Sequence, residues 1–247
     1  MSDRISELPV ASEAIAGNDL VAVTNVSQPG IGETQKFNWL EMQNGGWINI
    51  TDTWTYASAT TITVPSGAVS KYSVGTKIRY QNNDSGTYLY DYIVGVADTL
   101  LTVVGNAVPN ATLTDNYYSN TTPAVNFPIS FDWVPTITGF SSVPASGIYR
   151  FSIVGNVITV MVRQPNDGTS NATTFGITAP VISKNIANFV WNQPMGSITD
   201  NGVVLSTAGR VAILANDTNL TLYKDMATGG WTNSGGKRAT FTLIYEI

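Results

Sequence analysis

Side chains that move protons or hold metals are scarce in this chain. Its 247 residues contain no histidine and no cysteine, which excludes Ser-His-Asp and Cys-His nucleophiles and zinc sites built on those ligands. Carboxylates remain, and two of them could act as acid and base in glycoside hydrolysis. Yet Asp84 in NNDSG, Asp167 in NDG, Asp200 in DNG and Asp217 in NDT all occupy turn sequences, where Asp and Asn bond to their own backbone. No calcium loop of D-x-[DN]-x-[DN]-G type with a distal Glu occurs, and no Gly-rich phosphate loop opens a helix. The sequence reads as a non-enzyme, with no catalytic residue, no metal ligand and no cofactor.

Stacking is the other chemistry on offer. Tyr88, Tyr90 and Tyr92 recur at period two, so they share one face of a strand. Trp191 in NFVWNQ and Trp231 in GGWTNSGG stand beside amide side chains or glycine loops. An aromatic ring offers apolar area to a sugar, and these five residues are the candidates for binding a glycan or receptor. The more ordinary use of each is as a core or sheet-surface residue.

The elements that must carry these rings are strands. Tyr149 to Arg163, YRFSIVGNVITVMVR, places Gly155-Asn156 between two β-branched runs, the mark of a two-residue type II′ hairpin. That turn predicts Val154 opposite Val157, Ile153 opposite Ile158, Phe151 opposite Val160 and Tyr149 opposite Val162, which makes one face continuously apolar. Charged residues make up only 12% of the chain, about half the usual share. Four of the five Glu fall in the first 41 residues, which leaves a body poor in helix formers and rich in Thr, Val and Tyr. The fold class is all-β.

Three segments emerge. Residues 1–45 form an N-terminal attachment and oligomerisation arm, with a strand in LVAVTNV and a second strand or brief helical turn in QKFNWL. Such a piece is too small to be stable alone. Residues 46–128 form a small antiparallel β domain, including a hairpin across NNDSG and a strand in LLTVVGN. Pro123, Pro128 and Pro135 mark the boundary after it. Residues 129–247 carry short strands punctuated by NDG, DNG, NDTN and SGG, the rhythm of a β-sandwich or jelly roll.

A net charge of −5 with its basic residues scattered argues against nucleic acid. No stretch is apolar enough to insert in a membrane. The N-terminus MSDRISELP lacks the basic start and apolar run of a signal peptide, so synthesis in the cytoplasm without export by that route is expected.

The run ISELP, Ala11 and then GNDLVAV, followed by a polar hairpin with Lys36 and Leu40, resembles the N-terminal segment of tailed-bacteriophage fibre and appendage proteins. The resemblance covers about a sixth of the chain and differs by an inserted Pro29-Gly30-Ile31-Gly32. Trp133, Pro135, Ile137, Gly139, Phe140, Ser141 and Ser142, with the closing YEI, are similar to distal domains of phage fibres. The resemblance implies a structural protein of the virion, assembled in the host cytoplasm, and a short homotrimeric fibre on tail or head. Its partners would be its own copies, other capsid or tail proteins, and a host surface glycan as candidate ligand. The attachment residues would be Ile5, Leu8, Leu20, Val21, Val23, Phe37, Trp39 and Leu40. The alternative is a capsid decoration or tail-assembly protein that makes only protein contacts. A polysaccharide depolymerase would need paired carboxylates and a long repetitive β-helix, and neither is evident.

Overall fold

The computed structural model describes residues 20–24, 34–38, 45–120 and 124–247. Strands β1 (Leu20–Thr24) and β2 (Thr34–Asn38) form an antiparallel hairpin, so the second apolar run of the arm is a strand over those residues. Among the described residues neither strand pairs with any other. Ile5, Leu8, Trp39 and Leu40, expected to take part in attachment, lie outside the described residues.

The next unit is a closed barrel. It uses β3 (Ile48–Asn49), β4 (Trp54–Ser58), β5 (Thr61–Thr63), a one-turn helix α1 (Ala68–Lys71), β6 (Lys77–Asn82), β7 (Tyr88–Ala97), β8 (Leu100–Gly105) and β9 (Thr112–Ser119). The order β9-β4-β5-β8-β7-β6 returns to β9, which pairs with both β4 and β6, while β3 adds to β9. Closure removes the open edges that a flat sheet would leave. The loop NNDSG turns as its residues demand: Asn83 and Asp84 take φ of 49° and 53°, the left-handed region that Asn and Asp tolerate best after glycine. Inside, Trp54, Ile62, Ile78, Tyr80, Ile93, Leu101 and Val103 make a dry core, with Tyr72 and Tyr80 edge-on to Trp54 at 6.3 and 6.4 Å.

The rest is a sandwich of two antiparallel sheets. The chain supplies β10 (Phe131–Asp132), β11 (Ile137–Thr138), β12 (Phe140–Ser142), β13 (Ile148–Val154), β14 (Val157–Arg163), β15 (Gly168–Ser170) and β16 (Gly176–Thr178). It continues with β17 (Val190–Met195), β18 (Ser197–Asp200), β19 (Val203–Val204), β20 (Gly209–Leu214), β21 (Asn219–Tyr223) and β22 (Gly236–Glu246). One sheet runs β10-β13-β14-β22-β15-β12, with β18 and β19 attached through β22; the other runs β11-β16-β21-β20-β17. The β13–β14 register is the one that Gly155-Asn156 dictates, from Val154 opposite Val157 to Ile148 opposite Arg163. Gly155 has φ of 58° and Asn156 is not left-handed, as a type II′ turn requires.

That register buries Phe151, Ile153, Ile158, Val160 and Val162 against Ile177, Val211, Ile213, Leu220 and Leu222 of the facing sheet. Each such side chain contributes about 1.5–3 kcal/mol by leaving water. A one-residue slip would forfeit the whole set. Strand β22 is the spine of its sheet, flanked by β14 and β15 on one side and β18 on the other. Its alternation sets Ala239, Phe241, Leu243 and Tyr245 in the core.

The barrel and sandwich meet along an aromatic seam. Tyr92 of β7 faces out of the barrel and packs on Phe127 and Phe131, at 4.7 and 5.7 Å between ring centroids. Phe131 in turn stacks on Phe151 at 5.7 Å. The Gly155 turn lies directly on the Gly75 turn of the barrel, where a Cβ on Gly75 would collide with the Gly155 carbonyl.

Candidate interaction surface

The row Tyr88, Tyr90 and Tyr92 occupies the outer face of the barrel, as period two requires, and most of it is covered. Tyr92 is a core residue of the seam. Tyr90 is hemmed in by Trp47 at 6.2 Å and Phe127 at 5.9 Å. Tyr88 is half-buried, with the Arg79 guanidinium 4.5 Å from its ring centroid and its hydroxyl donating to Asp115 Oδ2 at 3.3 Å. The same guanidinium lies 4.3 Å from Tyr117 and 4.8 Å from Trp47. Three rings around one Arg are an internal cation–π box, so the tyrosine row is spent largely on joining the barrel to its flanking segments.

Trp231 is buried. Its Nε1 donates to the Leu222 carbonyl at 2.7 Å, and its ring meets Phe175 at 5.3 Å, leaving no face for a sugar. Trp191 sits half-buried on β17, an edge strand that tolerates Pro194 because its outer side is unpaired among the described residues. Its ring packs on Phe189 at 4.8 Å and on Tyr245 at 6.5 Å. Of the five stacking candidates, Trp191, Tyr88 and Tyr90 keep partial exposure; the Tyr88 and Tyr90 rings lie 6.4 Å apart, whereas Trp191 packs on Phe189 and Tyr245 instead. Of the attachment residues, Leu20, Val21, Val23 and Phe37 lie in the β1–β2 hairpin, with Val21 opposite Phe37 and Val23 opposite Gln35.

Of the four turn aspartates, Asp217 does what a turn residue does, while Asp167 pairs with Arg238 at 3.3 Å. Asp217 Oδ1 accepts from the backbone N–H of Thr218 and Asn219 at 2.7 and 3.0 Å. Asp200 departs from that role: it is buried, and its two oxygens hold the Thr232 N–H and hydroxyl at 2.9 Å each.

Among the buried ionisable groups, Lys237 and Asp91 are completely enclosed. Lys237 is enclosed by Phe140, Phe175 and Trp231, and its Nζ donates to the carbonyls of Ala172 and Thr174 at 3.1 and 3.0 Å. Burial brings its ammonium down to about 8, against a smaller opposing pull from Asp200. Asp91 lies fully buried in the barrel wall, with Oδ2 accepting from the Tyr80 hydroxyl at 2.7 Å. Burial pushes its carboxyl up to about 8, while the Tyr80 hydrogen bond and the nearby Asn106 backbone favour the anion less strongly. Sequence parity carried a signal for both. Lys237 shares its parity with Ala239, Phe241 and Leu243, and Asp91 shares its own with Leu89 and Ile93.

The open apolar surface lies elsewhere, along β10 at the margin of the larger sheet. Ile129 and Val134 flank this two-residue edge strand and are 93% and 98% exposed. Three clefts run beside it. One of about 470 Å³ is lined by Trp133, Val134, Pro135, Pro144, Ile148 and Tyr149, with the Asp132–Arg150 ion pair (2.8 Å) at its end. A second of about 170 Å³ shares Arg150 with the first and reaches Ile129 and Met161. A third of about 320 Å³ shares Ile129 with the second and ends at Tyr92 and Phe127. Through these shared walls the clefts form one groove along β13, about 23 Å long at the usual rise of an extended strand. Bulky aliphatic groups left in water along a sheet edge are a feature of surfaces that meet another protein.

Comparison with protein-family models, curated proteins and solved structures finds no match to this chain.

Proposed function

We propose that this protein is a structural component of a tailed-phage particle. In this reading it is a short homotrimeric fibre on tail or head, joined to the particle through its N-terminal segment, with the sandwich turned toward solvent or host. It binds and scaffolds; it does not catalyse. The observation that carries the reading is the arm. Its ISELP and GNDLVAV motifs lead into a hairpin that pairs with nothing else among the described residues, as a segment built to be completed by a partner would. A two-stranded hairpin is marginal in water without such a partner.

A second reading, capsid decoration or tail assembly through protein contacts alone, draws on the surface itself. The most exposed bulky groups are the aliphatic Ile129 and Val134, and Trp231 and Tyr92 are buried. Light scattering on the full chain, followed by binding of that chain to host cells and their surface glycans, separates these ideas. A mass three times the 26.4 kDa protomer with binding to cells supports the fibre. The same mass with no binding to cells or glycans supports the assembly role. A stable 26.4 kDa monomer would count against both trimeric forms.

A further inference from the structure

We propose that the β1–β2 hairpin of one copy docks in the β10 groove of the next, adding its strands to that open sheet edge. The inference rests on the homo-oligomeric reading above and names the contact that would create it. Two incomplete elements are present in each chain. One is a two-stranded hairpin with Val21 opposite Phe37, too small to hold its form alone. The other is an edge strand, β10, whose outer side pairs with nothing among the described residues and whose flanks, Ile129 and Val134, stand in water.

Each supplies what the other lacks. An added strand would satisfy the free backbone groups of the edge and cover the aliphatic strip, the recurring mode of strand addition. The described body begins at Gly45, which packs against Val125, and Trp47 meets Phe127 at 6.0 Å. Phe127 also lines the end of the groove, so the arm leaves the body at the groove's mouth. The six residues between Asn38 and Gly45 can reach about 20 Å, enough to carry the hairpin to an adjacent copy. Passing the arm from each copy to the next is a head-to-tail contact, which makes a ring where its rotation closes, and the homotrimer proposed above is that ring with three members.

The absence of native cysteine makes the test clean. Val134→Cys is combined in the full chain with Val21→Cys, and separately with Phe37→Cys. Each double variant is treated with a short bis-maleimide and run on a denaturing gel. Covalent trimers from at least one pair are expected, with no cross-link in the single-cysteine chains. A cross-linked species that stays at monomer mass, or no cross-link from either pair, overturns the proposal. Ile129→Lys with Val134→Lys provides a second arm at positions too exposed to disturb folding. Light scattering should fall from the trimer mass to 26.4 kDa. A double-lysine chain that remains trimeric refutes the groove while leaving the homotrimer intact, whereas a monomeric wild type removes both.

Discussion

Replacing Asp91 with Asn should change how stability depends on pH more than it changes stability at any one pH. In the fold this carboxyl is fully buried and its affinity for a proton is raised to about 8 from 3.8. Between those values the folded chain keeps a proton that the unfolded chain releases. The stabilisation is therefore complete below about pH 4 and is lost as pH rises through 8. Each pH unit in that window removes about 1.4 kcal/mol, so moving from pH 5 to pH 7.5 costs the wild type about 3 kcal/mol. This is a large share of a net stability of about 5–15 kcal/mol. Asp91→Asn carries no such proton, and its amide oxygen can still accept from the Tyr80 hydroxyl. Urea midpoints of both proteins at pH 5, 6, 7 and 7.5 provide the assay. With a slope of about 3 kcal/mol per molar urea, the variant should gain about 1 M on the wild type across that range. Parallel pH curves would refute the claim that a neutral carboxyl is held in the barrel wall.

Other substitutions test other joints of the structure. Lys237 has the opposite sign: its folded-state value is lowered to about 8 from 10.5, so wild-type stability should climb between pH 8 and 9.5 by about 1.4 kcal/mol per unit. Lys237→Met should abolish that climb in the same urea experiment. Gly75→Ala places a Cβ against the Gly155 carbonyl at a φ of 87°. It should cost at least about 2 kcal/mol, read as a lowered thermal midpoint. Trp231→Ala should destabilise by about 4 kcal/mol, and the half-buried Trp191→Ala by less than half as much, as measured by chemical denaturation.

Some of this architecture was legible in the residues. Gly155-Asn156 set a complete seven-pair register because turn geometry and apolar alternation agreed there. The NNDSG hairpin and the β22 alternation were readable on the same grounds. Closure of the barrel was not, because it depends on β9 pairing with two strands far apart in sequence, β4 and β6. The two-residue β10 escaped notice between Pro128 and Pro135, since strands that short have no period to read. Aromatic residues presented a different difficulty. Period two put Tyr88, Tyr90 and Tyr92 on one face correctly, but it could not foresee that Phe127 and Trp47 return to cover that face. Trp231, in a glycine-rich stretch, reads as a stacking candidate or a core ring, and the Leu222 carbonyl and Phe175 draw it inside. Lys237 and Asp91 were overlooked because charge suggested the surface while parity pointed to the interior.

The most direct test of the proposed virion role is immunogold electron microscopy of phage particles purified from a culture that produces this chain, using antibodies against its sandwich. The account predicts gold at a fixed position on every tail or head, at the end of a short projection. Particles that carry no label, while the protein accumulates free in infected cells, would contradict it.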